Sequence, residues 1–185
     1  MGKIRGWLRL SLKAAAPPAK LEVKMAGGGA ISYSEEFISP VAAARLFRAM
    51  IVEADHLIPQ LLPQAVKSIE LLQGHGGPGT IKKITLAQGS ETKIVIHRVD
   101  EVDEEKLKYG YSVIEGVGLG DKVESICYEV KFEGSTNGGT KGTTIARYLP
   151  KPGAEVTEEE IRAEEAKAKA IFKVIEAYLI HTNPH

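Results

Sequence analysis

Seven residues, Gly74-His75-Gly76-Gly77-Pro78-Gly79-Thr80, stand directly before Ile81-Lys82-Lys83-Ile84. Glycine-rich backbone beside lysine is a pattern for phosphate binding: amide N–H groups cradle the anion and an ammonium neutralises it. The nucleotide-binding form of such a loop needs G-x-x-x-x-G-K-[ST], with a helix starting where the loop ends. Gly74 and Gly79 have the required spacing, but Thr80 and Ile81 occupy the places of Lys and Ser/Thr. Strand-type residues follow, so the helix dipole of a phosphate site is missing. The physics favours a rigid turn between two strands, its glycines supplying positive φ.

Other chemistry-bearing residues do not gather in the sequence. His56, His75, His97 and His181 are scattered, and none makes a metal-ligand spacing, so neither a metal nor a cofactor is expected. Cys127 is the lone cysteine, which rules out an internal disulfide and suits a reducing compartment. No apolar run approaches the roughly 18–20 residues of a membrane span. Formal charge is zero, but residues 1–29 carry +5 and the remainder −5. A mildly acidic body argues against a general nucleic-acid binder, which shows a basic face.

The elements that must position these residues follow from periodicity. Ile31 to Ser39 alternates and reads as a strand that Pro40 stops. Val41 to Ala54 reads as a helix with Leu46, Phe47, Met50, Ile51 and Ala54 on its apolar stripe. Asp55 to Leu62 reads as a second short helix bounded by Pro59 and Pro63. Strands follow over 66–72, 80–87, 93–102, 106–116, 122–132 and 140–150. Their links are short and turn-like, which demands antiparallel pairing, since a parallel crossover needs about a dozen residues or more. Thr157-Glu158-Glu159-Glu160 is a capping box opening a helix to about His181. Ile161, Ala168, Phe172, Ile175 and Leu179 form its stripe. Residues 1–29 differ from the rest, with Ala14-Ala15-Ala16-Pro17-Pro18 and Gly27-Gly28-Gly29 breaking any period. They are expected to be a disordered or atypical extension. Their basic composition is that of an organelle transit peptide, but serine is scarce.

Strand parity then puts Lys82, Ile84 and Leu86 on one face. Tyr109, Tyr111 and Val113 share another face, as do Ile126, Tyr128, Val130 and Phe132, and Ala146 and Tyr148. Lys82 is the only lysine that this phasing turns inward. Four tyrosines pointing into one interior need partners for their hydroxyls. Either backbone groups satisfy them in a packed core, or they line an apolar space with a few polar tips, which is the composition of a small-molecule site.

Several stretches together resemble the plant class-10 pathogenesis-related proteins, the family of the major birch-pollen allergen. They are the glycine loop through Lys83, Ala44-Arg45-Leu46-Phe47, Ile58-Pro59, Pro63-Gln64-Ala65 and Arg98-Val99-Asp100. Tyr109 through Gly116 and Ile175-Glu176-Ala177-Tyr178-Leu179 complete the set. The resemblance runs from about Ile31 to about Leu179. It implies an α+β helix-grip fold of the START-like superfamily. In that fold a seven-stranded curved antiparallel sheet wraps a long C-terminal helix, two short helices form a V, and a cavity opens between sheet and helix. The domain would be residues 30–185. Met25 is where such a domain begins, which makes 1–24 an extension or a gene-model artefact.

The resemblance implies cavity liners Met50, Asp55, Ile58, Val66, Ile84, Leu86, Ile94, Tyr109, Tyr111, Tyr128, Val130, Ala146 and Tyr148. Thr92, Ile94 and Ala146 stand where relatives often carry an aromatic or larger polar group, which reshapes the pocket. The implied guests are amphipathic plant metabolites or hormones: flavonoids, cytokinins, sterol-like ligands and fatty acids, bound at roughly −8 kcal/mol, the micromolar range. The protein would be a mostly monomeric, cytoplasmic and also nuclear defence or stress protein, without membrane or specific nucleic-acid partners. Organelle targeting stays open through the extension. Glu70 and Gln73 correspond to the allergen's antibody-binding region. An alternative is ribonuclease activity, for which the family's residues match Lys82, Glu124, Glu176 and Tyr178. Gly74, Gly76, Gly77 and Gly79 form the family's glycine-rich loop. The norcoclaurine synthase branch uses an interior lysine base, but Lys82 is not at that position. Abscisic-acid receptors share the fold and dock a phosphatase; here Ala87-Gln88-Gly89-Ser90 lacks their Ser-Gly-Leu-Pro gate.

Overall fold

The computed structural model describes residues 22–25, 29–88 and 91–182. Eight strands form one antiparallel sheet in the order β1-β2-β8-β7-β6-β5-β4-β3. They are β1 (Glu22–Met25), β2 (Ile31–Ser39), β3 (Val66–Gln73), β4 (Ile81–Gln88), β5 (Glu91–Asp103), β6 (Lys108–Gly116), β7 (Val123–Gly134) and β8 (Thr140–Pro150). The seven strands expected from the sequence are all present, within a few residues of their expected ends. β1 is additional. It lies within the atypical extension and pairs with β2 from Glu22 opposite Ser34 to Met25 opposite Ile31, covering amide and carbonyl groups that an edge strand leaves unpaired. The rest of residues 1–28 lies outside the described residues.

Two short helical segments link β2 to β3. The expected single helix begins as α1 (Ala43–Phe47) and passes into a π-helical turn over Arg48–Val52. The Glu53 N–H accordingly donates to the Arg48 carbonyl, five residues back, at 2.9 Å. The second segment, α2 (Ala54–Leu61), contains Pro59 instead of stopping at it. Pro59 removes the N–H that the Asp55 carbonyl would otherwise accept. The long helix α3 (Glu158–Thr182) starts at the expected capping box. The Thr157 N–H donates to Glu160 Oε2 at 2.9 Å, and the Glu160 N–H donates to Thr157 Oγ1 at 3.3 Å. At the other end, the Arg45 guanidinium donates to the Leu179 carbonyl at 2.8 Å, placing positive charge on the negative end of the helix dipole.

Buried side chains divide into two clusters along α3. One gathers Ile31, Tyr33, Val95, Val113, Ile126, Ala146 and Tyr148 around Ile161 near the start of the helix. The other gathers Val41, Leu46, Phe47, Ala49 and Phe132 around Phe172, Ile175 and Leu179 near its end. Leu46 and Ile175 are fully buried, which stabilises the fold by about 1.5–3 kcal/mol for each side chain. Phe37 fills the floor of the second cluster because its partner across the strand is Gly142; a Cβ there would lie 1.9 Å from the Phe37 ring.

Candidate ligand-binding site

Register fixes which side chains face α3. Tyr109, Tyr111 and Val113 on β6 stand opposite Val130, Tyr128 and Ile126 on β7. Tyr128 and Ile126 in turn stand opposite Ala146 and Tyr148 on β8. On the other side, Val99 pairs with Tyr111 and His97 with Val113, and Lys82 and Ile84 pair with His97 and Val95. These residues form one continuous inner surface. Its middle does not close against the helix. Ile84, Leu86, Tyr109, Tyr111, Tyr128 and Val130 face inward yet stay only partly buried. The helix shows the same gap. Ile161, Glu165, Ala168, Phe172, Ile175 and Leu179 lie on one face at i+3/i+4 steps; all are buried except Ala168 in the middle, which is exposed.

The walls of this space are aromatic and its tips polar. Tyr111 stacks on Tyr128 with centroids 4.8 Å apart and planes at 12°, and on its other side it stacks on His97 at 4.8 Å. Tyr109 leans against Tyr111 at 5.5 Å. The Tyr109 and Tyr111 hydroxyls and the His97 ring nitrogens make no hydrogen bond among the described residues, though burial raises both tyrosine pKa values. Burial, with the Lys82 charge as a lesser cause, pushes the His97 pKa down to about 4, so the ring is neutral near pH 7.

An ion pair and a separate carboxylate mark the space. Lys82 Nζ donates to Asp55 Oδ1 on α2 at 2.7 Å, with both side chains largely buried. This joins two residues that the sequence reading had assigned to different roles. Some 80 residues further along the chain, Glu165 on α3 is only 5% exposed. The Tyr148 and Tyr128 hydroxyls both donate to its Oε1, at 2.5 and 3.0 Å. Burial raises the Glu165 pKa, and those two hydrogen bonds oppose the rise. Glu165 was absent from the candidates read from the sequence, as was His97. The signal for Glu165 was a carboxylate on the otherwise apolar Ile161–Phe172 stripe.

The other expected liners fall into three groups. Met50 and Ile58 sit half-buried against the second cluster. Val66, Ala146 and Tyr148 face inward but are almost wholly packed away, at 2%, 0% and 2% exposure, so the space meets them only at their edges. Ile94 does not line it. Ile94 pairs with Thr85, on the opposite face from Ile84 and Val95, and is 45% exposed. The run Ile94-Val95-Ile96-His97 hides its phase, because apolar Ile94 and Ile96 face outward and polar His97 faces inward.

The ribonuclease candidates are not brought together. Among the described residues no hydrogen bond or ion pair joins any two of Lys82, Glu124, Glu176 and Tyr178. Glu124 and Tyr178 are exposed. Glu176 is buried and accepts from Lys173 Nζ at 2.8 Å through Oε2, while its Oε1 lacks a partner.

The glycine loop is the turn that its composition implied. Gly74, Gly76 and Gly79 have positive φ, and Gly77 completes the exposed bend. A Cβ on Gly74 would lie 2.9 Å from the Thr80 backbone. The loop's inward donors are already used. The Gly76 N–H donates to Thr80 Oγ1 at 2.9 Å, the Gly79 N–H to the Val99 carbonyl at 2.8 Å, and the Thr80 N–H to the Gly77 carbonyl at 3.1 Å. Little is left to cradle a phosphate. The gate-type segment 87–90 falls partly outside the described residues. A separate concavity of about 320 Å³ lies among Ala44, Phe47, Arg48, Val52, Glu104 and Leu107, away from the inner face. No cluster of metal-ligating side chains occurs among the described residues, and no described helix is long and apolar enough to cross a membrane.

Comparison with known proteins places this geometry in a family. The profile of the pathogenesis-related protein Bet v 1 family matches residues 29–182. The major allergen Pru av 1 of Prunus avium is 44% identical over 151 residues, covering 82% of this chain and 94% of its own. The crystal structure of Ara h 8.0201 superposes with a TM-score of 0.77 at 36% identity, over 82% of this chain and 99% of that one. Norcoclaurine synthase from Thalictrum flavum shares the fold, with a TM-score of 0.63 at 18% identity over 88% of this chain and 90% of that one.

Proposed function

The chain belongs to the pathogenesis-related protein Bet v 1 family, and from that premise we propose that it is a carrier or sensor of small amphipathic plant metabolites. The space between the sheet and α3 holds the guest, in the setting of plant defence and stress. The observation that carries this reading is the pattern of exposure on the two inward faces: Tyr109, Tyr111, Tyr128 and Val130 on the sheet are only half-buried, and Ala168 in the middle of the otherwise buried helix stripe is exposed. Aromatic walls supply the apolar area that drives burial of a planar guest, and the unbonded Tyr109 and Tyr111 hydroxyls offer it hydrogen bonds. Ribonuclease chemistry has less support, since no hydrogen bond or ion pair joins its four candidate residues among the described residues, and the Gly76, Gly79 and Thr80 amides of the glycine loop already donate within the protein.

Calorimetric titration with flavonoids, cytokinins, sterols and fatty acids tests the proposal, with Tyr111→Ala as control. Binding of at least one class near micromolar is expected, weakened about tenfold by the substitution, because the central ring of the aromatic stack is removed. Absence of binding across the panel, or equal binding by the variant, would overturn it.

A further inference from the structure

We infer that Glu165 makes the interior selective for an aromatic guest carrying a protonated amine, an inference that rests on the reading of the space as a ligand site. Three observations carry it. The first is the charge balance of the inner surface. Lys82 neutralises Asp55 at 2.7 Å, and Lys169 neutralises Glu35 at 2.5 Å. Glu165 has no cationic partner among the described residues; it accepts only from neutral tyrosine hydroxyls. A buried carboxylate without a counter-ion is held at a penalty that a bound cation would relieve.

The second observation is how the bonds are shared. Both tyrosines donate to Oε1. Among the described residues Oε2 accepts nothing, yet it is not sealed from solvent, since Glu176 Oε1 is the only buried side-chain oxygen or nitrogen there without a partner. The third is position. Glu165 lies one turn before exposed Ala168 on the inward stripe, and the Tyr128 it holds is stacked face to face with Tyr111. An ammonium donating to Oε2 would leave its attached ring against these aromatic faces, and the tyrosine faces attract the cation as well.

Naphthylethylamine and naphthylethanol test this, because they match in shape and differ in the cationic donor. Calorimetry is run on the full chain, wild type and Glu165→Gln. Wild type is expected to bind the amine about tenfold more tightly than the alcohol, the scale of a hydrogen bond to a charged group. Glu165→Gln should abolish the amine's advantage over the alcohol, the ratio of the two affinities falling to about one. If the alcohol binds but the amine is no tighter, or if its advantage survives Glu165→Gln, the inference is overturned and the cavity reading stands. If neither probe binds, both fail.

A second measurement avoids the variant. On acidification the amine's advantage in wild type should fade as Glu165 protonates, while alcohol affinity serves as the reference. The groups acting on Glu165 are Tyr128 on β7, Tyr148 on β8, Glu35 on β2 and Glu164 on its own helix; His97 and the Lys82–Asp55 pair lie elsewhere on the inner surface. Positive charge gained at His97 on acidification disfavours the amine alone, so the ratio is followed in His97→Phe as well as in wild type, and the fading that persists there is assigned to Glu165. A ratio that stays flat with pH overturns the inference.

Discussion

Replacing Ala168 with phenylalanine distinguishes an open interior from a packed one by the sign of its effect. Ala168 sits at the middle of the inward stripe of α3 and is exposed, whereas Glu165 and Phe172 on either side are buried. An aromatic side chain presents about 150–250 Å² of surface. Burying roughly half of it at about 25 cal/mol/Å² contributes about 2–3 kcal/mol. Against this stand about 0.5 kcal/mol of helix propensity and up to about 1 kcal/mol of lost rotamer freedom. The balance is a stability unchanged or raised by about 1 kcal/mol, moving Tm upward by about 2–4 °C in a protein of this size. In a filled core the same ring would overpack and cost about 1–3 kcal/mol. The assay pairs a thermal melt with calorimetric binding of naphthylethanol. The expected result is an equal or higher Tm with affinity reduced at least about tenfold, because the ring occupies the guest's volume. A Tm lowered by about 5 °C or more, with binding intact, would refute the open middle.

Two further outcomes follow from the charged interior. Asp55→Asn leaves the buried Lys82 ammonium unpaired and should cost about 2 kcal/mol, with partial exposure reducing the larger penalty of a fully buried pair. Lys82→Met should cost less, since it frees only the more exposed partner, and a double-mutant cycle of denaturant midpoints should show positive coupling. His97 should make the fold acid-sensitive. Its folded pKa, about 4, lies below the usual histidine value, so the unfolded chain binds the proton more readily and stability falls as pH drops from about 6.5 to 4. The loss is about 2–3 kcal/mol, and His97→Phe should remove that part of the acid limb in urea titrations at pH 7 and 4.5.

Much of the fold was legible because its local signals agree. Alternation along β6, β7 and β8, turn-forming links and the Thr157–Glu160 capping box all specify the same sheet and helix. The helical linker was less legible. Val41 to Ala54 has the composition of one uninterrupted helix, and nothing local announces the π turn at Arg48–Val52, beside which Leu46, Phe47 and Ala49 pack into the second cluster. β1 was missed because four residues beside a glycine run carry too little pattern to mark a strand, and pairing with β2 supplies what propensity does not.

The site was legible only where polarity followed the usual rule. The inward tyrosines announced themselves by parity. His97 and Glu165 did not, since a polar residue on an inner face reads as an outward one; Ile94, carried over from the family resemblance alone, falls on the outer face. The inversions share a physical meaning. A sheet and helix selected only to pack would place aliphatic residues at 82, 97 and 165 and close the space. This chain instead keeps an ammonium, an imidazole and a carboxylate on its inner surface, together with two tyrosine hydroxyls that have no hydrogen-bond partner among the described residues. Each polar group taken from water without full hydrogen bonding opposes folding by about 1–3 kcal/mol. On the proposed reading a guest that supplies the missing bonds offsets this cost, so the guests that bind best should also raise the melting temperature most.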